Sequence, residues 1–204
     1  RDYAAYAQAN RGIVESWRTP GFPQEDTHPV VKVSWEDAKA FCAWLTQKEQ
    51  AEGKIGPSQS YRLPTDAEWS VAVGLNESRS GTPADKHMEI ADVTDVYPWG
   101  RGWPPPSGAG NYAESLKVDS YAYTSPVGSF KANQYGLYDM GGNVCQWCED
   151  WYDTYQTHRV LRGASWSYFV CPELLLSAYR SNGMPGGRGD YVGFRCVLEG
   201  GAPP

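Results

Sequence analysis

The 204-residue sequence contains no apolar run approaching the roughly 18 residues that a helical membrane crossing needs. No signal peptide or transit segment is visible. Basic residues are in the minority, with 18 Lys and Arg against 24 Asp and Glu and a formal charge of −6. That balance argues against a basic nucleic-acid binder and for a soluble globular chain. Histidine is scarce, and His28, His87 and His158 show no metal-ligand spacing to one another. Cys145 and Cys148 form a Cys-x-x-Cys, but no second such pair completes a zinc site, so a structural or incidental role is expected. The five cysteines leave at least one outside any intramolecular pairing. A Gly-rich phosphate loop, a catalytic His-Arg-Asp and an Asp-Phe-Gly are all missing, which excludes kinase activity for these residues themselves.

What is abundant is aromatic side chain on a loop-rich backbone: 9 Trp, 14 Tyr and 5 Phe among 22 Gly and 15 Pro. A single domain spanning 1–204 buries enough surface to fold without a disulfide staple. Ser34 and Asp37 form a capping box, after which Ala38, Phe41, Cys42 and Leu45 fall on one helical face and Gly53 is a natural stop. Thr65 and Glu68 form a second box, with Trp69, Ala72 and Val73 directed inward and Gly74 as terminator. Beyond Leu75 the helical pattern fades. Val160 to Leu161, Ser177 to Arg180 and Val192 to Val197 are the strand candidates, too short for a parallel α/β sheet. The expected class is α+β, with two helices, short antiparallel strands and a high loop content.

Seven short motifs then occur in order: HPVVKVSW (28–35), YRLPTDAEW (61–69), YPWG (97–100), PVG (126–128), YGLYDMGGNV (135–144), RGASW (162–166) and GFRC (193–196). The series resembles the formylglycine-generating enzyme family, or sulfatase-modifying factor domain. The resemblance spans about residues 28 to 197 and implies a C-type-lectin-like fold. The strand region with a Met-Gly step that usually opens the family is missing from this sequence. The stretch from Asp153 to Arg159 is shorter than the resemblance leads one to expect. The family motifs place Trp35, Trp69, Trp99, Trp147 and Trp166 in the core.

The family's enzymes oxidise a substrate cysteine through two thiolates that bind copper, and soft thiolates suit Cu(I). Tyr168 stands where the first of those cysteines is expected, and Cys171 lies only near the second, so neither copper nor oxidase activity is expected here. The related iron-dependent sulfoxide synthases need a histidine-rich partner domain that three scattered histidines do not supply. The resemblance does imply structural calcium, which takes hard oxygen ligands in flexible geometry. One site maps onto Asn111, Tyr112, Asp119 and Tyr121; the other maps onto Asp139, Gly142, Val144 and Gln146, where Gln146 replaces a carboxylate. Cys42 and Cys196 fall at positions that are disulfide-bonded in secreted members, with a buried free-thiol pair as the alternative. Cys148 and Cys171 are a weaker second pairing.

The segment from Ser165 to Arg195 is similar to the variable region of diversity-generating retroelement proteins. There, adenine randomisation converts Asn codons to a restricted set that excludes Lys, Glu, Gln, Met and Trp. A steady frame alternates with Ser167, Tyr168, Phe169, Val170, Cys171, Tyr179, Ser181, Asn182, Gly183, Gly187, Gly189 and Tyr191, none of them excluded types. Rigid aromatics beside Ser, Asn and Gly also make a paratope-like surface. The expected function is therefore a non-catalytic domain that binds an unknown protein or glycan through these twelve positions. The alternative rests on WPPP (103–106), GAGNYA (108–113) and CEDWY (148–152), which resemble family domains fused behind bacterial serine/threonine kinases and acting as sensors. The first reading implies a secreted or cell-surface bacterial protein, the second a cytoplasmic one.

Overall fold

A computed structural model describes residues 1–77, 80–88, 95–168 and 171–201. The two helices with capping boxes form as their sequences dictate. In α2 (Trp35–Ala51), Ser34 Oγ accepts from Asp37 N at 3.1 Å and Asp37 Oδ2 accepts from Ser34 N at 2.9 Å. Ala38, Phe41 and Cys42 are its buried face. In α3 (Asp66–Val73) Thr65 and Glu68 exchange the same pair of bonds, Trp69 and Val73 are buried, and Gly74 ends the helix at φ +89°, a left-handed conformation that suits glycine.

Two further helices were not expected. α1 (Asp2–Ala9) buries Tyr3, Tyr6 and Ala7 against α2, and α4 (Pro83–Met88) follows a turn in which Thr82 and Asp85 bond one another. Among the described residues no helix is long and apolar enough to cross a membrane.

The central sheet has the order β6-β5-β4-β7. β4 (Cys145–Trp151) pairs antiparallel with β5 (Arg159–Arg162), which pairs antiparallel with β6 (Ser181–Gly183). β7 (Val192–Phe194) runs parallel to β4 on the other side, an exception to the antiparallel expectation. Two short ribbons complete the strands, β1 (Ser60–Arg62) with β8 (Val197–Glu199), and β2 (Val96–Tyr97) with β3 (Gly100–Arg101). Two strand expectations are corrected and the longest strand is new to the reading. β4 was missed; Ser177 to Arg180 is not a strand, since β6 begins only at Ser181; and Val192 to Val197 divides into β7 and the start of β8. The short stretch after β4 closes as a tight turn in which Tyr152 N donates to His158 O at 2.8 Å.

Trp69 and Trp147 are fully buried, whereas Trp35 and Trp99 are half-buried and pack onto the core from outside, and the half-buried Trp166 lies against Phe22 and Tyr123 instead. Trp147 Nε1 donates to Val33 O, which joins the sheet to the segment leading into α2. The 165–191 segment supplies β6, an edge strand of the central sheet.

Candidate functional site

A buried ion cluster anchors that segment at two points. The Asp66 carboxylate, at the start of α3, accepts from Arg180 Nη2 at 2.9 Å and Nε at 3.1 Å, and from Arg162 Nη1. Arg162 Nη2 also donates to Ser177 O, Arg180 Nη1 to Ala178 O, and Arg180 pairs with Glu77. All four side chains are at most 5% exposed, so the pairing is what makes the charges tolerable. Burial pushes the Asp66 carboxyl upward, but Arg162 and Arg180 outweigh it and hold Asp66 below the ordinary carboxylate range.

Tyr168, at the position of the expected catalytic cysteine, is an interior contact. It packs on the cluster containing Cys145 and Trp147, and its ring meets Tyr191 edge-on with centroids 6.3 Å apart. Burial, and then the adjacent Cys145, raise its phenol. The nearby thiols are not activated. Burial pushes Cys145 up to about 12 and raises Cys148 too, and Cys171, whose Sγ donates to Glu173 Oε2 at 2.7 Å, is raised by that carboxylate. Thiolates are the metal-binding and nucleophilic form, and that form is disfavoured at all three of these positions.

Cys145 and Cys148 lie three apart on β4 and face opposite sides, the first toward Trp147 and Leu161, the second toward Trp69 and Val160. All five cysteines are free. Cys148 and Cys171 are therefore not bridged, while Cys42 and Cys196 place their sulfurs 3.4 Å apart as a thiol pair.

The structure divides the twelve positions of the 165–191 segment. Ser167, Asn182, Gly187 and Tyr191 are exposed. Cys171, Tyr179, Ser181 and Gly189 are half-buried, Tyr179 lying edge-on to His87 at 5.1 Å. Tyr168 and Gly183 face inward, onto Cys145 and onto Trp147. Phe169 and Val170 lie outside the described residues.

Beside this face stands an aromatic trio that the sequence reading missed. Phe22 stacks on Tyr123 with centroids 4.7 Å apart, and Trp166 meets both rings edge-on. Phe22 also lines a cavity of about 860 Å³ with Tyr3, Trp17, Phe41, Phe194 and Arg195; the Tyr3 hydroxyl and Trp17 Nε1 are buried there without partners. No local pattern joins residues 22, 123 and 166, which only the fold brings together.

The residues of the first calcium site fit a cation. Asp119 accepts from Tyr112 N at 3.0 Å and Tyr121 N at 2.8 Å, which gathers all four positions into one loop. Asn111 is buried, its Nδ2 donates to Tyr123 O at 2.7 Å, and its Oδ1 has no hydrogen-bond partner. An orphaned buried oxygen next to the loop that Asp119 closes is what a hard cation would satisfy. The second set does not fit, because Gln146 Oε1, the oxygen that would ligate, already accepts from two donors. Among the described residues no group of three or more His, Cys, Asp or Glu is placed to hold a metal.

The family model described as the sulfatase-modifying factor enzyme 1-like domain matches residues 4–200. The inactive C-alpha-formylglycine-generating enzyme 2 of Bos taurus is 35% identical over 202 residues, covering 92% of this chain and 58% of its own length. The formylglycine-generating enzyme of Thermomonospora curvata is 31% identical over 219 residues, covering 90% and 61%. Serine/threonine-protein kinase pkn1 of Chlamydia caviae is 33% identical over 195 residues, covering 87% of this chain but 25% of the kinase. The solved Treponema denticola variable protein 1 superposes with a TM-score of 0.55 at 25% identity, covering 88% of this chain and 75% of that one. The chain thus spans about three fifths of the first two relatives.

Proposed function

The chain belongs to the sulfatase-modifying factor enzyme 1-like family, and on that footing we propose that it is a ligand-binding domain without the family's oxidase chemistry. The observation that carries this reading is Tyr168: at the expected position of a copper-binding cysteine there is a phenol packed on Cys145 and Tyr191. Around it Ser167, Asn182 and Tyr191 face outward and form the centre of the proposed binding face. Tyrosine gives contact area at small entropy cost, and Ser and Asn adapt their hydrogen bonds to a partner.

A calcium ion at Asn111, Tyr112, Asp119 and Tyr121 would stiffen the same face. Asn111 holds the Tyr123 carbonyl, and the Tyr123 ring supports Trp166, the neighbour of Ser167. The likeness to a variable protein supports a diversified origin for the segment, with a protein or glycan ligand.

The test uses a glycan array and a displayed-protein panel, probed with the unaltered chain and with a Ser167→Arg, Asn182→Arg, Tyr191→Ala triple variant. A ligand retained by the first and lost by the second, at unchanged melting temperature, supports the proposal; binding that ignores the triple change counts against it. A Cys-x-Pro-x-Arg peptide incubated with the chain, copper and oxygen should stay unmodified by mass spectrometry, and formylglycine product would overturn the reading.

A second reading, a sensor or substrate-recruiting domain fused to a kinase, is favoured by the chlamydial kinases, of which the matched region is about a quarter. A kinase frame joined to the gene supports it and a cytoplasmic location. A reverse transcriptase with a near-copy template beside the gene supports diversification and a surface or secreted protein.

A further inference from the structure

The turn from Asp139 to Gln146 already holds a positive charge. Arg195, just after β7, donates from Nε to Gln146 Oε1 at 2.6 Å and from Nη2 to the carbonyls of Tyr138 and Asp139, each at 3.0 Å. Gln146 Oε1 also accepts from Trp69 Nε1 at 2.9 Å. An indole N–H and a guanidinium can only donate, so these two contacts fix the amide orientation and use both lone pairs of the oxygen. The other end of the amide, Nε2, donates to Asp139 O at 2.9 Å. The oxygen that would ligate a metal is therefore occupied, and an N–H points at a carbonyl of the same turn. The Asp139 carboxylate accepts at Oδ2 from Gly128 N at 2.8 Å and lies near enough to Arg195 for the two charges to act on each other.

We infer that this turn takes no divalent ion, because Gln146 Oε1 is committed to Trp69 and to the guanidinium of Arg195, and that the domain holds at most one such ion, at Asn111 and Asp119. The guanidinium does by hydrogen bonding what a metal does by coordination: it draws two backbone carbonyls and a side-chain oxygen onto one positive centre. A divalent ion in the same turn would meet like charge and would have to displace Gln146 from Trp69 and Arg195. The inference is independent of whether the first site fills.

Calcium binding to the chelator-treated chain, followed by titration calorimetry and equilibrium dialysis, decides it. The expected result is no more than one equivalent, unaffected by Asp139→Asn; a second equivalent that disappears in Asp139→Asn would overturn the inference. In Arg195→Met the melting temperature should fall by roughly 5–10 °C, equally in calcium and in chelator. Recovery of that loss by millimolar calcium would also overturn it. Should Arg195→Met fail to fold, the stoichiometry of the unaltered chain stands as the test.

Discussion

Gly183 of β6 lies directly against the indole of Trp147: a Cβ at residue 183 would sit 2.7 Å from Trp147 Cη2 and 3.4 Å from Leu161 Cδ1. Position 183 is therefore held to glycine by the core, although it falls within a segment whose composition suggests free variation. Gly183→Ala should destabilise by about 1–3 kcal/mol through overpacking. Asn182→Ala, one residue away and exposed, should stay within about 0.5 kcal/mol of the unaltered chain. Urea unfolding of the two variants separates core from surface.

Asp66→Asn leaves Arg162 and Arg180 buried without their shared carboxylate, and should cost about 3–5 kcal/mol. The carboxyl is held below its ordinary range in the fold, so its stabilisation is complete above the unfolded value and is lost as pH falls through the lower folded one. The gap between the two proteins should thus be full at neutral pH and narrow only below about pH 4, as read by unfolding midpoints across pH.

Mild oxidation should link Cys42 to Cys196, whose sulfurs are already 3.4 Å apart. The cross-link would close about three quarters of the chain into one loop, and chain entropy sets an upper contribution of about 5 kcal/mol. A faster-migrating band on a non-reducing gel and a raised melting temperature are expected, both abolished by Cys196→Ser.

Calcium should raise the melting temperature of the unaltered chain, with about 2.7 kcal/mol at a hundredfold excess over the dissociation constant. Asp119→Asn should remove the response by weakening a negative ligand. Asn111→Ala should also remove it, and additionally loosen Tyr123, whose carbonyl Asn111 holds. A midpoint that ignores calcium and chelator alike would refute a filled first site.

α2 and α3 were legible because a capping box is a local signal, complete within four residues. α1 was not, since Arg1 makes no side-chain cap and two turns carry too little periodicity to read. β4 escaped because Cys145, Gln146, Trp147 and Cys148 are all buried, so the strand shows no alternation of apolar and polar positions. In the candidate site, the replacement of a cysteine by Tyr168 could be read directly. The division of the segment into outward and inward positions could not, because Trp147 and Cys145 decide it from a strand about 20 residues or more away in sequence. Gln146 shows the same limit: its identity hinted at a weakened metal site, but only the approach of Arg195 shows what the amide does instead.

Arg162 and Arg180 bracket residues 163–179, and Asp66 grips both ends of that span with one carboxylate. The fold thereby fixes the end-to-end distance of the intervening loop, so that its exposed side chains are not needed to close it. Such a span tolerates sequence drift: substitutions at its exposed positions change what the surface recognises while leaving the ends where they are. The same arrangement sets the boundary of that freedom, because Asp66 is the one group that both arginines share, and its loss acts on both ends of the loop together.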